Sequence, residues 1–546
     1  MFPYKISYIM KKTSEHSSNT TESVDDRVSR LEKEKAELEL QLKWYRDQFS
    51  LMQKKKFGTS SEKTDERFEQ GSLFNESEKE QDAAEEEPTV EAITYERKKK
   101  RKARKDLTEN LYTETVTYTL PVEDQVCSCC NGELHIMKTQ VKDELEIIPA
   151  EVKVKRYETT IYSCRHCERT GTRNPIVKAP SPERPFPGSL ASPSIVSYMI
   201  NQKFVQGVPL YRQEQEFKRM DVPISRQTMS NWIIEASEQM LEPIWDLMIR
   251  ILTSLDVLHA DETTVQVLKE DGKEAAAKSY MWLYRSGSHD VPIVIYDYQP
   301  GRASKYPRRF LEGFTGYLHV DGYGGYHALK PKVELVGCWA HARRKFFDAV
   351  QTLPDDRDST TSAAKKGLNA IDELYRIERE IQNEYKTPEE FYEARKERIE
   401  PPLEAFSAWV ESMKPKILSK SLLGKAVIYA SNQMEHLRTF LKDGRLAIDN
   451  NRAERSIKPF VIGRKNWIFS NTPRGAKSSS IIYSMIETAK ENQLKPQAYL
   501  NYLFENLPSS KQSEMEQFLP WSDSLPRMIF VSLKIDNPSI ENPHLH

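Results

Sequence analysis

From Ser254 to Phe347 five short apolar runs follow one another, and their connections leave little freedom in how they can be arranged. "SLDVLHADETTV", "SYMWLYRS" and "VPIVIYDYQ" are rich in β-branched and aromatic residues and read as strands. The links between them are too short for a helical crossover, which predicts an antiparallel meander. A helical segment, "ASKYPRRFLEG", leads to a fourth strand in "GYLHVDGYGGY". "VELVGCWAHARRKF" is a fifth strand running into a helix.

Three antiparallel strands, a helix, a strand, a helix and a strand is the element order of an RNase H-like sheet. Asp261 is expected to end the first strand and Asp321 the fourth, and in such a sheet those two ends are neighbours. Adjacent carboxylates repel each other and persist where a divalent cation neutralises them. A third carboxylate from a helix lets such a site hold two Mg²⁺ (or Mn²⁺) ions about 3.5–4 Å apart. Glu454 supplies it in "RLAIDNNRAERSIKPFVIGRKNW", on a short helix expected to be capped by Asp449 or Asn450 and stopped by Pro459. Around it stand Arg452, Arg455, Lys458, Arg464 and Lys465, and the helix after the fifth strand adds Arg343 and Arg344. The acid is there for metal, and the bases for a phosphodiester backbone. Three alternatives stay open. Asp256 or Glu262 replaces Asp261 as ligand, Asp321 is a turn former before Gly322, or Glu454 is an ion-pair partner of Arg452 or Lys458. Cys338 and His341 form a C-x2-H pair that could ligate a metal; the preferred reading is a core cysteine and a structural or DNA-facing histidine.

The chain has 546 residues, so several domains are expected. Its formal net charge of −1 hides strong segregation. Glu66 to Glu91 holds ten acidic and two basic residues, whereas "RKKKRKARK" from Arg97 is eight basic in nine. Six cysteines in so long a chain are not a disulfide framework, and no apolar run reaches the roughly 18 residues that span a bilayer. A cytoplasmic protein is expected. Residues 1–20 carry no periodicity and read as a disordered extension. Residues 22–56 read as a coiled coil, with Val24, Val28, Leu31, Leu38, Leu42, Tyr45, Phe49 and Met52 at heptad steps and Lys35 in one polar slot. An acidic, then basic linker over 57–106 follows.

Residues 107–178 alternate as strands around two knuckles, Cys127-x2-Cys130 and Cys164-x2-Cys167. Thiolates so spaced grip one structural Zn²⁺ in a closed tetrahedron. Cys129 is a spare, and His166 a weaker candidate. Residues 190–245 read as a helix-turn-helix. Ser225 is the expected N-cap of its second helix. That helix would bury Met229, Trp232 and Ile233 and present Arg226, Gln227, Ser230 and Asn231 to DNA. The remaining expectation is a catalytic core in two parts, 250–352 and 441–507 with C-terminal helices. An all-α insertion over 354–440 separates them, and a tail over 508–546 follows.

"HADET", "VDGYGGY", "GCWAHARRKFF", "DNNRAERSIKPFVIGRKNWIFSNTPRGAKSSS" and "IETAKENQLKPQAYL" resemble the IS66-family transposases of bacterial insertion sequences. So do "KKFGTSSEK", the two-knuckle module and "PLYRQEQEF…ISRQTMSNW", in order from about residue 24 to 507. The resemblance implies an RNase H-like DDE transposase, acting in the bacterial cytoplasm on the nucleoid, that cuts and joins element ends with Mg²⁺. It puts the acidic triad on Asp261, Asp321 and Glu454 and the zinc ligands on Cys127, Cys130, Cys164 and Cys167. Implied partners are the terminal inverted repeats, target DNA, further copies of the chain through the coiled coil, and accessory proteins of the element. The rival readings are another RNase H-like nuclease and a catalytically inactive DNA-binding regulator.

Overall fold

The computed structural model describes residues 150–170, 176–180, 184–352 and 362–531, with a few isolated positions before them. The predicted extension over 1–20, the linker over 57–106, and Cys127 and Cys130 lie outside the described residues. Of the predicted heptad, Val28, Leu31, Lys35 and Leu38 are described, and all four are helical and exposed. The chain clusters into two compact units, one of Met1–Val90 with Val336–Asn450, the other of Glu91–Leu335 with Asn451–His546.

The second unit begins with a small antiparallel pair, β1 (Ile161–Ser163) and β2 (Ile176–Lys178), and a short helix between them, α1 (Arg165–Thr170). Three helices follow: α2 (Pro193–Phe204), α3 (Leu210–Arg219) and α4 (Arg226–Ala236). The Ser225 hydroxyl caps α4 by accepting the Thr228 N–H at 3.1 Å. Met229, Trp232 and Ile233 face the core, as their spacing requires. Gln213, fully buried on α3, ties that helix to the chain before it by donating to the carbonyls of Met199 and Val208. After one π turn, α5 (Glu242–Leu252) leads into the sheet.

The sheet contains β3 (Val257–Val267), β4 (Lys278–Ser286), β5 (Val294–Gln299), β6 (Gly316–Val320) and β7 (Val333–Gly337), in the spatial order β5-β4-β3-β6-β7. The meander is antiparallel, and β6 joins β3 in parallel after the short helix α6 (Lys305–Phe310). Expected and observed order differ at one place. The predicted helix between the fourth and fifth strands is a 3-10 turn, Gly324–Leu329, and β6 ends at Val320. Gly322 turns the chain there with φ at +92°, a conformation that favours glycine over side-chain-bearing residues.

After Asn450 the chain returns to this unit with α12 (Asn451–Trp467) and α13 (Pro473–Glu491), and the two-residue strand β8 (Phe469–Ser470) between them pairs the far end of β3. Pro459 does not stop α12, contrary to expectation, but lies inside it. The proline removes one hydrogen bond. Burial of Ala453, Ile457, Phe460 and Val461 along one face carries the helix past it. β5 is an edge strand whose outer backbone groups need partners. Thr488 and Ser484 of α13 supply them, the first receiving the Val294 N–H at 3.0 Å and the second the Tyr296 N–H at 2.8 Å. The predicted tail is packed as far as Val531: Phe518, Leu519, Leu525 and Ile529 are buried, and Tyr499 on α14 (Pro496–Asn506) donates to the Phe518 carbonyl at 2.6 Å.

The first unit's described core is helical: α7 (Trp339–Val350), α8 (Ala363–Glu384), α9 (Pro388–Arg398), α10 (Glu400–Met413) and α11 (Leu422–Arg438). Its apolar residues recur at helical spacing on α8, where Leu368, Ile371, Leu374, Ile377 and Ile381 are all buried. A buried ion pair crosses it, with Arg395 gripping both oxygens of Glu378 and donating to the carbonyls of Phe440, Asp443 and Gly444. Among the described residues no helix is long and apolar enough to cross a membrane.

Candidate active site

The two faces of β3 carry different chemistry because side chains alternate along a strand. Asp261 lies in register with Leu283 and Tyr296, and two residues from it His259 lies in register with Arg285. Tyr296 and Arg285 both reach α12, so this is the face that α12 covers. Glu262 lies in register with Trp282 and Asp297 on the opposite face, beneath the turn that holds Tyr326.

Asp261 does not end its strand as expected but stands in the middle of β3. What ends near it is the pairing with β6, whose last row is His259 with His319. Asp261 and Asp321 each stand two residues beyond that row. The two imidazoles are buried and stacked, with ring centroids 4.1 Å apart and planes at 11°. Sequence reading passed over this pair, although its signal was present: "HAD" and "HVD" are the same H-x-D step on two adjacent parallel strands.

Burial pushes the Asp261 carboxyl well above the usual range, and the like charges of Glu262, Glu454 and Asp321 push in the same direction. The backbone N–H of Glu262, 2.8 Å from Asp261 Oδ1, works against them. Asp321 Oδ1 accepts the N–H of Tyr323 at 2.8 Å, which holds the carboxylate at the start of the glycine turn. Glu262 is also raised, by burial and by Asp321, but has its own partners. Arg302 Nε donates to it at 2.6 Å and the Tyr326 hydroxyl at 2.7 Å. The Arg302 guanidinium in turn lies 3.8 Å from the centre of the Tyr323 ring. Four carboxylates therefore interact here, and Glu262 among them is paired with Arg302. The side chains of Asp261, Asp321 and Glu454 offer only carboxylate oxygens, the donor chemistry that suits a hard divalent cation such as Mg²⁺ or Mn²⁺.

Of the predicted basic residues on α12, Arg455 and Lys465 are exposed, while Arg452, Lys458 and Arg464 are half-buried. Arg464 reaches the Thr263 hydroxyl at 3.1 Å and the Thr264 carbonyl, and so docks the end of α12 on β3. Arg226, Gln227 and Asn231 are exposed on α4 and Ser230 half-buried. Within the other unit Arg343 pairs with Asp372 at 2.6 Å, and Arg344 is half-buried. Cys338 is buried there and its sulfur accepts the Asn450 N–H at 3.2 Å; His341 is half-buried. Of the knuckle cysteines Cys164 is described and half-buried, and Cys129 is exposed. The side chain of Cys167 lies outside the described residues.

Residues 188–478, which include the sheet, Asp261, Asp321 and Glu454, match the transposase IS66 family. The chain belongs to that family. Further matches cover the IS66 C-terminal element at residues 484–521 and the zinc-finger binding domain of transposase IS66 at residues 124–168. A fourth, described as transposase C of IS166 homeodomain, covers residues 44–116. The zinc-finger match contains Cys127, Cys130, Cys164 and Cys167 and supports a structural zinc in this IS66 transposase. Similar proteins include the uncharacterized proteins y4jD and y4qI of Sinorhizobium fredii (strain NBRC 101917 / NGR234). Each is 30% identical, over 73% of this chain and 78% and 74% of their own lengths. A third from the same strain, y4hP, is 27% identical over 78% of this chain and 77% of its own.

Proposed function

We propose that this insertion-sequence transposase binds the terminal inverted repeats of its element and cleaves and joins DNA strands by DDE chemistry at Asp261, Asp321 and Glu454. One observation carries the reading: Asp261, half-buried in mid-strand, stands among the like charges of Glu262, Glu454 and Asp321, an arrangement that costs stability and calls for a cation. The strand order β5-β4-β3-β6-β7, with β3 to β5 antiparallel and β6 parallel to β3, supports an RNase H-like reading of the sheet.

Asp261, Asp321 and Glu454 would hold Mg²⁺ or Mn²⁺. Bound there, the metal would supply charge neutralisation at the scissile phosphate and activation of the attacking oxygen. The protein's own part is positioning. The backbone N–H groups of Glu262 and Tyr323 orient the two aspartates. Arg302 and Tyr326 hold Glu262 on the opposite face of β3, which leaves Asp261 to face α12. Arg455 and Lys465, exposed on α12, would contact phosphates, and Arg226, Gln227 and Asn231, exposed on α4, would read the element end.

The test is cleavage and strand transfer on labelled element ends with Mg²⁺, comparing the wild type with Asp261→Asn, Asp321→Asn and Glu454→Gln. Each variant is expected to lose cleavage and keep DNA binding. Near-normal cleavage by any of them removes that residue from the site, and cleavage by all three removes the mechanism.

A further inference from the structure

Glu454 is the member of the proposed triad that arrives from a separate element, so its position depends on how α12 is seated. A helix that slips by one residue moves about 1.5 Å along its axis and turns about 100°. Apolar packing alone tolerates such adjustments. Directional hydrogen bonds do not, and α12 has a set of them at one height.

Arg285 stands on β4, cross-strand from His259, with its side chain 2% exposed. Its guanidinium donates to the Ser456 hydroxyl and, at 3.4 Å, to the carbonyl of Arg452. The same group forms a two-pronged pair with Glu491 at the end of α13, at 3.3 and 3.1 Å. From β5 the Tyr296 hydroxyl donates to the Ser456 carbonyl. Arg452 and Ser456 stand two residues on either side of Glu454. The contacts thus bracket the turn that carries the carboxylate and tie it to two strands and a neighbouring helix. Burying a guanidinium costs free energy, and an apolar side chain of similar size often serves stability as well or better. What an apolar residue cannot do is fix one turn of a helix against a strand.

We propose that Arg285, held by Glu491 and assisted by Tyr296, is a positioning residue that sets the height and rotation of the α12 turn bearing Glu454. Through Glu454 it sets the affinity of the carboxylate set for its divalent cation. This deepens the DDE reading and rests on it.

The experiment uses the full chain. Arg285→Met keeps the bulk and removes the donors, and Glu491→Gln keeps the volume and loosens the guanidinium from outside. Mn²⁺ binding is followed by electron paramagnetic resonance, and single-turnover cleavage of labelled element ends is followed against DNA concentration. Folded Arg285→Met, with unchanged circular dichroism and zinc content, is expected to bind Mn²⁺ about tenfold or more weakly and to cleave roughly 10–100-fold more slowly. Its half-saturating DNA concentration should not move, and excess Mn²⁺ should restore part of the rate. Glu491→Gln should show the same pattern, more weakly. A general loss of packing would lower DNA binding too and would not respond to Mn²⁺.

Folded Arg285→Met with wild-type Mn²⁺ affinity and cleavage overturns the proposal. Should that variant fail to fold, Glu491→Gln decides, and wild-type Mn²⁺ affinity in it is the overturning result. Glu454→Gln, measured alongside, separates the two levels. If it loses Mn²⁺ affinity and cleavage while the Arg285 and Glu491 variants keep both, only the clamp is wrong. If it keeps both, the assignment of Glu454 fails and the clamp with it.

Discussion

Replacing Asp297 by Asn should make this protein more stable above neutral pH and leave it nearly unchanged in acid. Asp297 sits on β5 opposite Trp282, on the sheet face away from Asp261, and is buried. Burial pushes its carboxyl up to about 6, against the pull of the Gln299 hydrogen bond and of Arg309 and Lys477. An unfolded aspartate titrates near 3.9. Between these two values the folded chain holds a proton that the unfolded chain has released, so stability falls as pH rises from about 4 to about 6 and is level beyond. The shift of about two units corresponds to roughly 3 kcal/mol lost by pH 7.5. Asn has no charge to desolvate, and its carbonyl can accept the Gln299 amide, which now lies 2.8 Å from Asp297 Oδ2. Urea denaturation followed by tryptophan fluorescence is the assay, since Trp282 is fully buried beside the site. The variant should gain up to about 3 kcal/mol at pH 7.5 and little at pH 4.5. A gain that does not depend on pH, or a loss at pH 7.5, refutes the reasoning.

Glu378→Ala should destabilise the helical unit by about 3–5 kcal/mol, because it strands the buried Arg395, and thermal denaturation measures it. The double change Cys127→Ser with Cys130→Ser should remove one Zn²⁺ per chain by elemental analysis; no zinc in the wild type sinks the zinc-site reading. A chain lacking residues 1–109 should show fewer chains per particle in light scattering, because the exposed apolar positions Val28, Leu31 and Leu38 would have lost their partner helices. The same number in both forms means that pairing is built elsewhere.

The meander and its connection to β6 were legible because strand periodicity and short links admit few topologies. The length of β3 was not. Its hairpin partner β4 continues pairing past the end of β6, so Asp261 falls in mid-strand, a fact decided by a neighbour rather than by local sequence. Pro459 misled for the same reason, since the apolar face of α12 outweighs one missing hydrogen bond. The clamp at Arg285 was invisible in the sequence. Its partners lie 167, 171 and 206 residues away, and nothing in "LYRS" marks an arginine that will be buried.

Asp261 and Glu262 are adjacent acids of which only one can face α12, and the strand register decides which. A slip of one residue would turn Asp261 toward Tyr326 and present Glu262 to Glu454. Three features oppose that slip. A Cβ on Gly316 would come within 2.3 Å of the Asp256 carbonyl, so β6 enters beside β3 at one height. The stacked His259 and His319 require those two positions to share a row. Arg302 and Tyr326 supply a cation and a hydroxyl where Glu262 now stands, and both would lose their partner if the shorter Asp261 took its place. The acid that already has an arginine is the poorer candidate for a metal. On the DDE reading Asp261, raised by burial and by the like charges of Glu262, Glu454 and Asp321 and lacking the Arg302 pair that Glu262 has, is the acid a cation would relieve.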